Sequence, residues 1–225
     1  YAYVANVSAN FNCDDYGKLQ LTVMLYDAAT NTIVNADRIP LPKRTDLDKT
    51  LTIYMGEEPG TLKEKLGKDL YKVRSLIIRG KINGEDLATL RDMVGCTGDK
   101  TRRLAKLNLR AAQIVKGGIY MEDSKLNIDD YLPDNVFEFA VSLRSIAVPG
   151  TLRSIGYAAF QDTYSLREVK LNEGLEEIDT WAFASWGVES SLEKINIPST
   201  VRSLQGTTFA SCYKLKDFTI HPNNP

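Results

Sequence analysis

The sequence predicts an α+β chain: a small antiparallel β domain, then a solenoid of parallel β coils with a short capping helix. Three observations carry this. Runs of alternating apolar and polar residues fill much of the first 56 positions. Further on, Leu143-Arg-Ser-Ile146-Ala-Val148-Pro149 is answered by Leu166-Arg-Glu-Val169-Lys-Leu171, by Leu192-Glu-Lys-Ile195-Asn-Ile197-Pro198 and by Leu215-Lys-Asp-Phe218-Thr-Ile220, with starts 23, 26 and 23 residues apart. Third, Phe137, Phe160, Phe183 and Phe209 recur at the same spacing. A fixed period in the twenties marks a leucine-rich repeat solenoid.

In the first 56 residues, Tyr1, Tyr3, Ala5, Val7, Ala9 and Phe11 alternate with small or polar neighbours, as do Leu19, Leu21, Val23 and Leu25. Polar turns at 12–17 and 27–32 separate these runs, and Thr32 to Ala36 pairs back as a hairpin. Leu51, Ile53 and Met55 alternate a last time. Period two with one apolar face describes half-buried antiparallel strands. Pro40 and Pro42 mark an edge or a connection, because proline cannot donate to a ladder. Residues 1–56 therefore read as a small β-sandwich-like domain that leans on its neighbour for stability.

Residues 57–225 read as the solenoid, with 57–142 as an N-terminal cap and irregular repeats and 143–225 as regular repeats of 23–26 residues. Gly56-Glu-Glu-Pro59-Gly60 is linker-like, and Thr61-Leu-Lys-Glu64 has the form of a capping box. Leu62, Leu66, Leu70 and Val73 follow at helical spacing, a lid for the first coil, since solenoids expose an apolar end unless something covers it. Val73-Arg-Ser-Leu76-Ile-Ile78 and Leu104-Ala-Lys-Leu107-Asn-Leu109 match the repeat's opening. Between them Asn83-Gly-Glu-Asp86 leads Leu87, Leu90, Met93 and Val94 into a second helix ending near Gly95.

In Leu-x-x-Ile-x-Ile the later two apolar residues point inward, and the intervening ones share one outer ribbon. Along it lie Ser75 and Ile77, Lys106 and Asn108, Ser145 and Ala147, Glu168 and Lys170, Lys194 and Asn196, and Asp217 and Thr219. The apolar pairs Leu152/Ile155, Leu175/Ile178 and Val201/Leu204 predict a further arm, with Arg153/Ser154, Glu176/Glu177 and Arg202/Ser203 facing out. The 26-residue unit carries its surplus in Ala184 to Ser191, which places Trp186 in a loop.

These residues resemble the BspA-like leucine-rich repeat family of bacterial and protozoan surfaces, whose repeat is similar to L-x-x-I-x-I-P-x-x-V-x-x-I-G-x-x-A-F-x-x-C. Leu143, Ile146, Val148, Pro149, Leu152, Ile155, Gly156, Ala159 and Phe160 follow it closely. So do Leu192 to Cys212, with Thr208 in place of the Ala before Phe209. Cys212 occupies the family's cysteine position, which Ala140, Thr163 and Trp186 fill in other coils. Gly60-Thr-Leu, Ile82-Asn-Gly-Glu-Asp and Leu90-Arg-Asp-Met93 resemble the cap before such repeats in secreted Bacteroides-type proteins. The resemblance implies export to the extracellular or outer-membrane surface of a bacterium, often with a lipid anchor, and adhesion to host or matrix protein or glycan.

Composition and chemistry narrow the function classes. Of 225 residues 43% are hydrophobic and 25% charged, as in ordinary globular proteins. The net charge of −1 offers no basic field for nucleic acid. No apolar run reaches the length of a membrane span. Cys13, Cys96 and Cys212 are too scattered for a zinc site or a disulfide framework, though one pair could bridge. His221 beside Pro222 reads as a frayed tail residue, not a general base. Glu122, Asp123, Asp129 and Asp130 lack EF-hand spacing and read as a solvated acidic loop. The phenylalanine ladder is core, so functional aromatics are sought off it, at Tyr157, Tyr164, Trp181, Trp186 and Tyr213.

The expectation is a monomeric, non-catalytic recognition module with no cofactor and no metal. Its ligand-binding residues are expected to be Lys106, Asn108, Glu168, Lys170, Trp186, Lys194 and Asn196. A passive spacer within a longer surface protein is the alternative, since Pro225 falls inside a unit that has only begun.

Overall fold

In the computed structural model the described residues are 6–13, 19–26, 33–40, 50–99, 101–186, 190–222 and 224, with side chains described from residue 50 onward. The chain divides into two compact units, Tyr1–Asp46 and Leu47–Pro225.

The first unit contains β1 (Asn6–Cys13), β2 (Leu19–Tyr26) and β3 (Ile33–Pro40), joined as an antiparallel meander in the order β1-β2-β3. The register sets Val7 opposite Leu25, Ala9 opposite Val23 and Phe11 opposite Leu21, so the predicted alternations meet position for position. β3 runs four residues beyond the expected Ala36 and closes on Pro40, which the outer position of this strand in the sheet tolerates. The described strands make a single sheet, and the expected alternation at Tyr1, Tyr3 and Ala5 lies outside the described residues.

The boundary expected at residue 56 lies ten residues too late. β4 (Thr50–Gly56) pairs in parallel with β5 (Ser75–Ile82), from Thr50↔Ser75 to Tyr54↔Arg79, and so belongs to the solenoid. Ile53 and Met55 on its inner face are buried in the solenoid core. Alternation alone cannot tell a parallel half-buried strand from an antiparallel one.

The second unit is built on a seven-stranded parallel sheet in the order β16-β14-β12-β10-β6-β5-β4. The further strands are β6 (Lys106–Ile114), β10 (Ser145–Ala147), β12 (Glu168–Lys170), β14 (Lys194–Ile197) and β16 (Asp217–Ile220). The predicted second arm is a four-stranded sheet of β9 (Tyr131–Leu132), β11 (Ser154–Ile155), β13 (Glu177–Ile178) and β15 (Ser203–Leu204). A small hairpin, β7 (Ile119–Met121) and β8 (Ser124–Lys125), fills the excursion before the regular coils.

Between the sheets the phenylalanines stack coil on coil. Ring centroids lie 5.5 Å apart for Phe137–Phe160, 5.2 Å for Phe160–Phe183 and 5.4 Å for Phe183–Phe209. Phe137, Phe160 and Phe183 are buried, and each such side chain contributes about 1.5 to 3 kcal/mol by area. The turns leading to them place a residue at positive φ once per coil: Asn135 at 56°, Ala158 at 52°, Trp181 at 60° and Thr207 at 62°. Non-glycine residues rarely adopt this conformation. Here coil-to-coil hydrogen bonds hold it, including Phe160 N to Ala182 O at 2.8 Å and Phe183 N to Thr208 O at 2.9 Å.

The N-terminal lid is built differently from its motif. Helix α1 (Leu62–Leu66) buries Leu62 and Leu66 and packs against α2 and β4, but it stops at Gly67 (φ 48°), short of Leu70 and Val73. Thr61 makes no side-chain cap bond, and its hydroxyl donates to Glu58 O at 3.1 Å. The acceptor for this N-terminus comes from α2 (Gly84–Val94): Asp86 accepts from Leu62 N at 2.9 Å and Gly60 N at 2.6 Å. The capping box is at α2 itself. Asn83 accepts from Asp86 N at 3.4 Å, and Asp86 accepts from Asn83 N at 3.0 Å. Gly95 closes this helix at φ 81°, as its position predicted.

At the other end of the sheet β16 pairs with β14 through four residues, and Asn224 Nδ2 donates to Pro198 O and Val201 O at 2.8 Å each. The segment expected to fray around His221 is thus tied to the preceding coil.

Candidate functional site

The ladder converts the repeat into two surface rows. The parallel registers align Thr50, Ser75, Lys106, Ser145, Glu168, Lys194 and Asp217 in one row, and Thr52, Ile77, Asn108, Ala147, Lys170, Asn196 and Thr219 in the next. Seven strands at ~4.8 Å make a face about 29 Å long, one strand longer than the repeat alone implied. The first three coils present small, hydroxylated or neutral groups, apart from Lys106, and line a shallow groove of about 280 Å³ with Ala147, Glu168 and Lys170 at its far side.

The later coils carry the charge. Glu168 lies 3.7 Å from Lys170 Nζ and 3.9 Å from Lys194 Nζ, a carboxylate held between two ammonium groups. These groups stay substantially exposed, so the pairs contribute at most about 1 kcal/mol each and serve to arrange charge. Asn108 Oδ1 accepts from Arg110 N at 3.0 Å, and Arg110 Nη1 reaches Leu171 O at 3.1 Å. Thr219 Oγ1 donates to Asn196 Oδ1 at 2.9 Å. A second recess of about 310 Å³ runs past Arg110, Lys170, Lys194 and Asn196.

Six of the seven predicted residues therefore share one face. Trp186 does not join them. It is 54% exposed and sits with the turn segments, edge-on to Trp181 at 5.4 Å, while Trp181 meets Tyr157 at 5.2 Å. Buried Asp162 holds this corner: its Oδ1 accepts from Trp186 N at 2.7 Å and from Ser185 Oγ at 3.3 Å. Asp162 was not singled out from the sequence, and only its occurrence just after Phe160, in the turn, hinted at a role. Of the other off-ladder aromatics, Tyr213 is exposed and Tyr164 half-buried.

The remaining chemical groups are occupied locally. Asp129 Oδ1 accepts from Lys116 N and Asp130 Oδ1 from Thr151 Oγ1, each at 2.6 Å, while Glu122 and Asp123 form the turn between β7 and β8. Among the described residues no group of three or more His, Cys, Asp or Glu is placed to hold a metal ion. Cys96 and Cys212 are free thiols. Burial pushes Cys96 up to about 12, and Cys212 is also raised by burial while its Sγ donates to Phe183 O at 3.1 Å. Tyr131 is raised by burial and by donating to Asp134, whose carboxylate also accepts from Tyr157 N at 2.9 Å. No helix among the described residues is long and apolar enough to cross a membrane.

Comparison with known proteins bears out the repeat resemblance. Residues 130–224 match the family described as BspA type leucine rich repeat region, in six copies. No curated protein matches the chain. Among solved structures, a leucine-rich repeat protein from Bacteroides capillosus is similar at 26% identity over 45% of this chain and 70% of that one, with a TM-score of 0.36. A leucine-rich repeat protein of T. pallidum is similar at 23% identity over 42% of this chain and 53% of that one, with a TM-score of 0.30. The pneumococcal vaccine antigen PcpA aligns over 96% of this chain and 51% of its own at 16% identity, with a TM-score of 0.41. The chain thus spans about half the length of the last two.

Proposed function

With residues 130–224 matched to repeats of the BspA type, we propose that this chain is a non-catalytic recognition module of a bacterial surface, binding protein or glycan through the outer ribbon of its solenoid. One observation carries the reading: parallel registers place Lys106, Asn108, Glu168, Lys170, Lys194 and Asn196 in two adjacent rows on one continuous face. The inward members of the same strands are all core. The outward members differ from coil to coil, which is where a scaffold of repeats carries specificity. Mixed charge with both signs close together suits a partner that is itself polar, and sets orientation more than raw affinity.

The test is a binding screen of the full chain against extracellular-matrix proteins and a glycan array, followed by Lys106→Ala/Lys170→Ala/Lys194→Ala. The variant is expected to weaken any ligand found by tenfold or more while the thermal melt stays unchanged. Absence of any ligand, even at high surface density, or a ligand indifferent to the triple variant, overturns the assignment.

A further inference from the structure

The rail of residues just before the ribbon strands carries a separate site. Backbone bonds define it rung by rung: Ala105 N donates to Arg74 O, Arg144 N to Ala105 O, Arg167 N to Arg144 O and Glu193 N to Arg167 O. Arg74, Arg144 and Arg167 therefore occupy three of four successive rungs, with Ala105 on the second, a span of about 14 Å at the usual strand spacing. Arg102 and Arg103 come in beside them from the segment before β6. Arg74, Arg102, Arg103 and Arg144 line a groove of about 470 Å³ with Ala105, Val141, Ser142 and Ser165, and Arg167 follows on the next rung.

The four lining arginines differ in their commitments. Arg102 is spoken for: Nη2 lies 2.8 Å from Asp92 Oδ1, Nε 3.4 Å from Asp99 Oδ2, and its guanidinium carbon 3.8 Å over the Tyr71 ring. Arg74, Arg103 and Arg144 have no carboxylate within ion-pair distance among the described residues. Among the described residues no acidic side chain lines the groove. In a chain of net charge −1 this is a local concentration of uncompensated positive charge, and guanidinium forks match oxyanions bidentately.

We infer that this groove binds an acidic polysaccharide through its sulfate or carboxylate groups. The rail is longer than one small anion needs. Among the described residues the groove's lining has no aromatic ring on which a nucleobase could stack, the usual platform for single-stranded nucleic acid. Nor does it offer a free sheet edge for a peptide, because the rail's N–H groups at 105, 144 and 167 are consumed by the ladder. Ser142 and Ser165 donate to Val94 O, Leu104 O and Val141 O, which leaves their oxygens open to sugar hydroxyls. This goes beyond the ribbon reading, since these arginines lie outside its two rows.

The test uses the full chain on immobilised heparin at two ionic strengths. Wild type is expected to bind, with affinity falling as salt rises. Arg74→Ala/Arg103→Ala/Arg144→Ala is expected to lose at least about tenfold and to show a shallower salt dependence, since a charged hydrogen bond of about 1.5 kcal/mol is worth a decade. Lys63→Ala/Lys65→Ala/Lys68→Ala, which removes the same charge from α1 and the turn that follows it, is expected to bind as wild type does. Loss of binding to desulfated heparin assigns the sulfates; retained binding assigns the carboxylates. The inference is overturned if wild type does not bind, if the arginine and lysine variants behave alike, or if polyglutamate or a single-stranded oligonucleotide competes as well as heparin. Circular dichroism checks folding. Should the triple variant not fold, the exposed Arg103→Ala alone must weaken binding severalfold, and an unchanged affinity overturns the inference equally.

Discussion

Asp86 is the residue on which the N-terminal lid turns. It is 0% exposed, yet its carboxylate takes three backbone donors: Gly60 N, Leu62 N and Asn83 N, at 2.6, 2.9 and 3.0 Å. Two of them, on exposed Gly60 and half-buried Asn83, can turn to water if the carboxylate is removed. The Leu62 amide, in a buried residue, cannot. Asp86→Ala should therefore cost about 1.5 to 3 kcal/mol at Leu62 and about 1 kcal/mol at each of the others, about 3.5 to 5 kcal/mol in all. Asp86→Asn keeps one acceptor oxygen and turns an amide NH2 toward a backbone N–H. It should cost less than alanine, because it also relieves the burial of a charge.

That last point has a pH signature. Burial raises the Asp86 carboxyl above its ordinary value, against the opposing pull of the three N–H groups. A folded value above the unfolded one means the native state binds more protons between the two, so stability falls as pH rises through that window. This contribution is present in full below the unfolded value of 3.8 and is gone above the folded value. In Asp86→Asn the slope from this site must vanish. Urea denaturation followed by far-UV circular dichroism gives the cost, and amide hydrogen exchange over residues 60–66 gives its location. Unchanged exchange there in Asp86→Ala, with stability within about 0.5 kcal/mol of wild type, would refute the bridge between α2 and the lid.

Phe160→Ala, in the middle of the stack, is expected to cost about 3 to 5 kcal/mol in urea melts, and Phe209→Ala distinctly less because that ring is only partly buried. Equal costs would mean that stacking does not propagate along the coils. Thr207→Gly, at an exposed position with φ 62°, is expected to raise stability by about 0.5 to 1 kcal/mol in the same melts, by relieving a β-branched residue held left-handed. Cys96, its thiol pushed up to about 12 by burial, is expected to resist alkylation in the native protein and to react at once on denaturation, as read by mass spectrometry.

What was legible in the sequence, and what was not, follows from where each residue's partner sits. The coils declared themselves because stacking forces the same slot to be filled alike each time. Phe137, Phe160 and Phe183 are recognisable one by one only because each rests on the next. The ribbon rows followed, since strand alternation and a fixed period together determine the register. Failures came where a partner lies outside the local pattern. Thr61-Leu-Lys-Glu64 satisfies a capping rule on paper, but a carboxylate 24 residues onward reaches Leu62 N instead. β4 alternates just as an antiparallel strand would, and only its pairing with β5 shows which unit it serves.

The arginine groove lies between these cases. Arg74, Arg144 and Arg167 occupy one slot of the repeat, in Val73-Arg, Leu143-Arg and Leu166-Arg, so their alignment was written in the sequence as plainly as the phenylalanines. Their meaning was not, because a surface arginine in a repeat is ordinarily matched by an acid on a neighbouring coil. The other sheet does this: Arg153 is paired with Glu176. On the rail the rungs next to Arg74 and Arg144 are Ala105 and Arg167, an acid (Glu193) comes only beyond Arg167, and Asp92 and Asp99 are held by Arg102. The repeat makes the rail legible, but only the fold reveals that its charge has no partner, which is the condition for an external one.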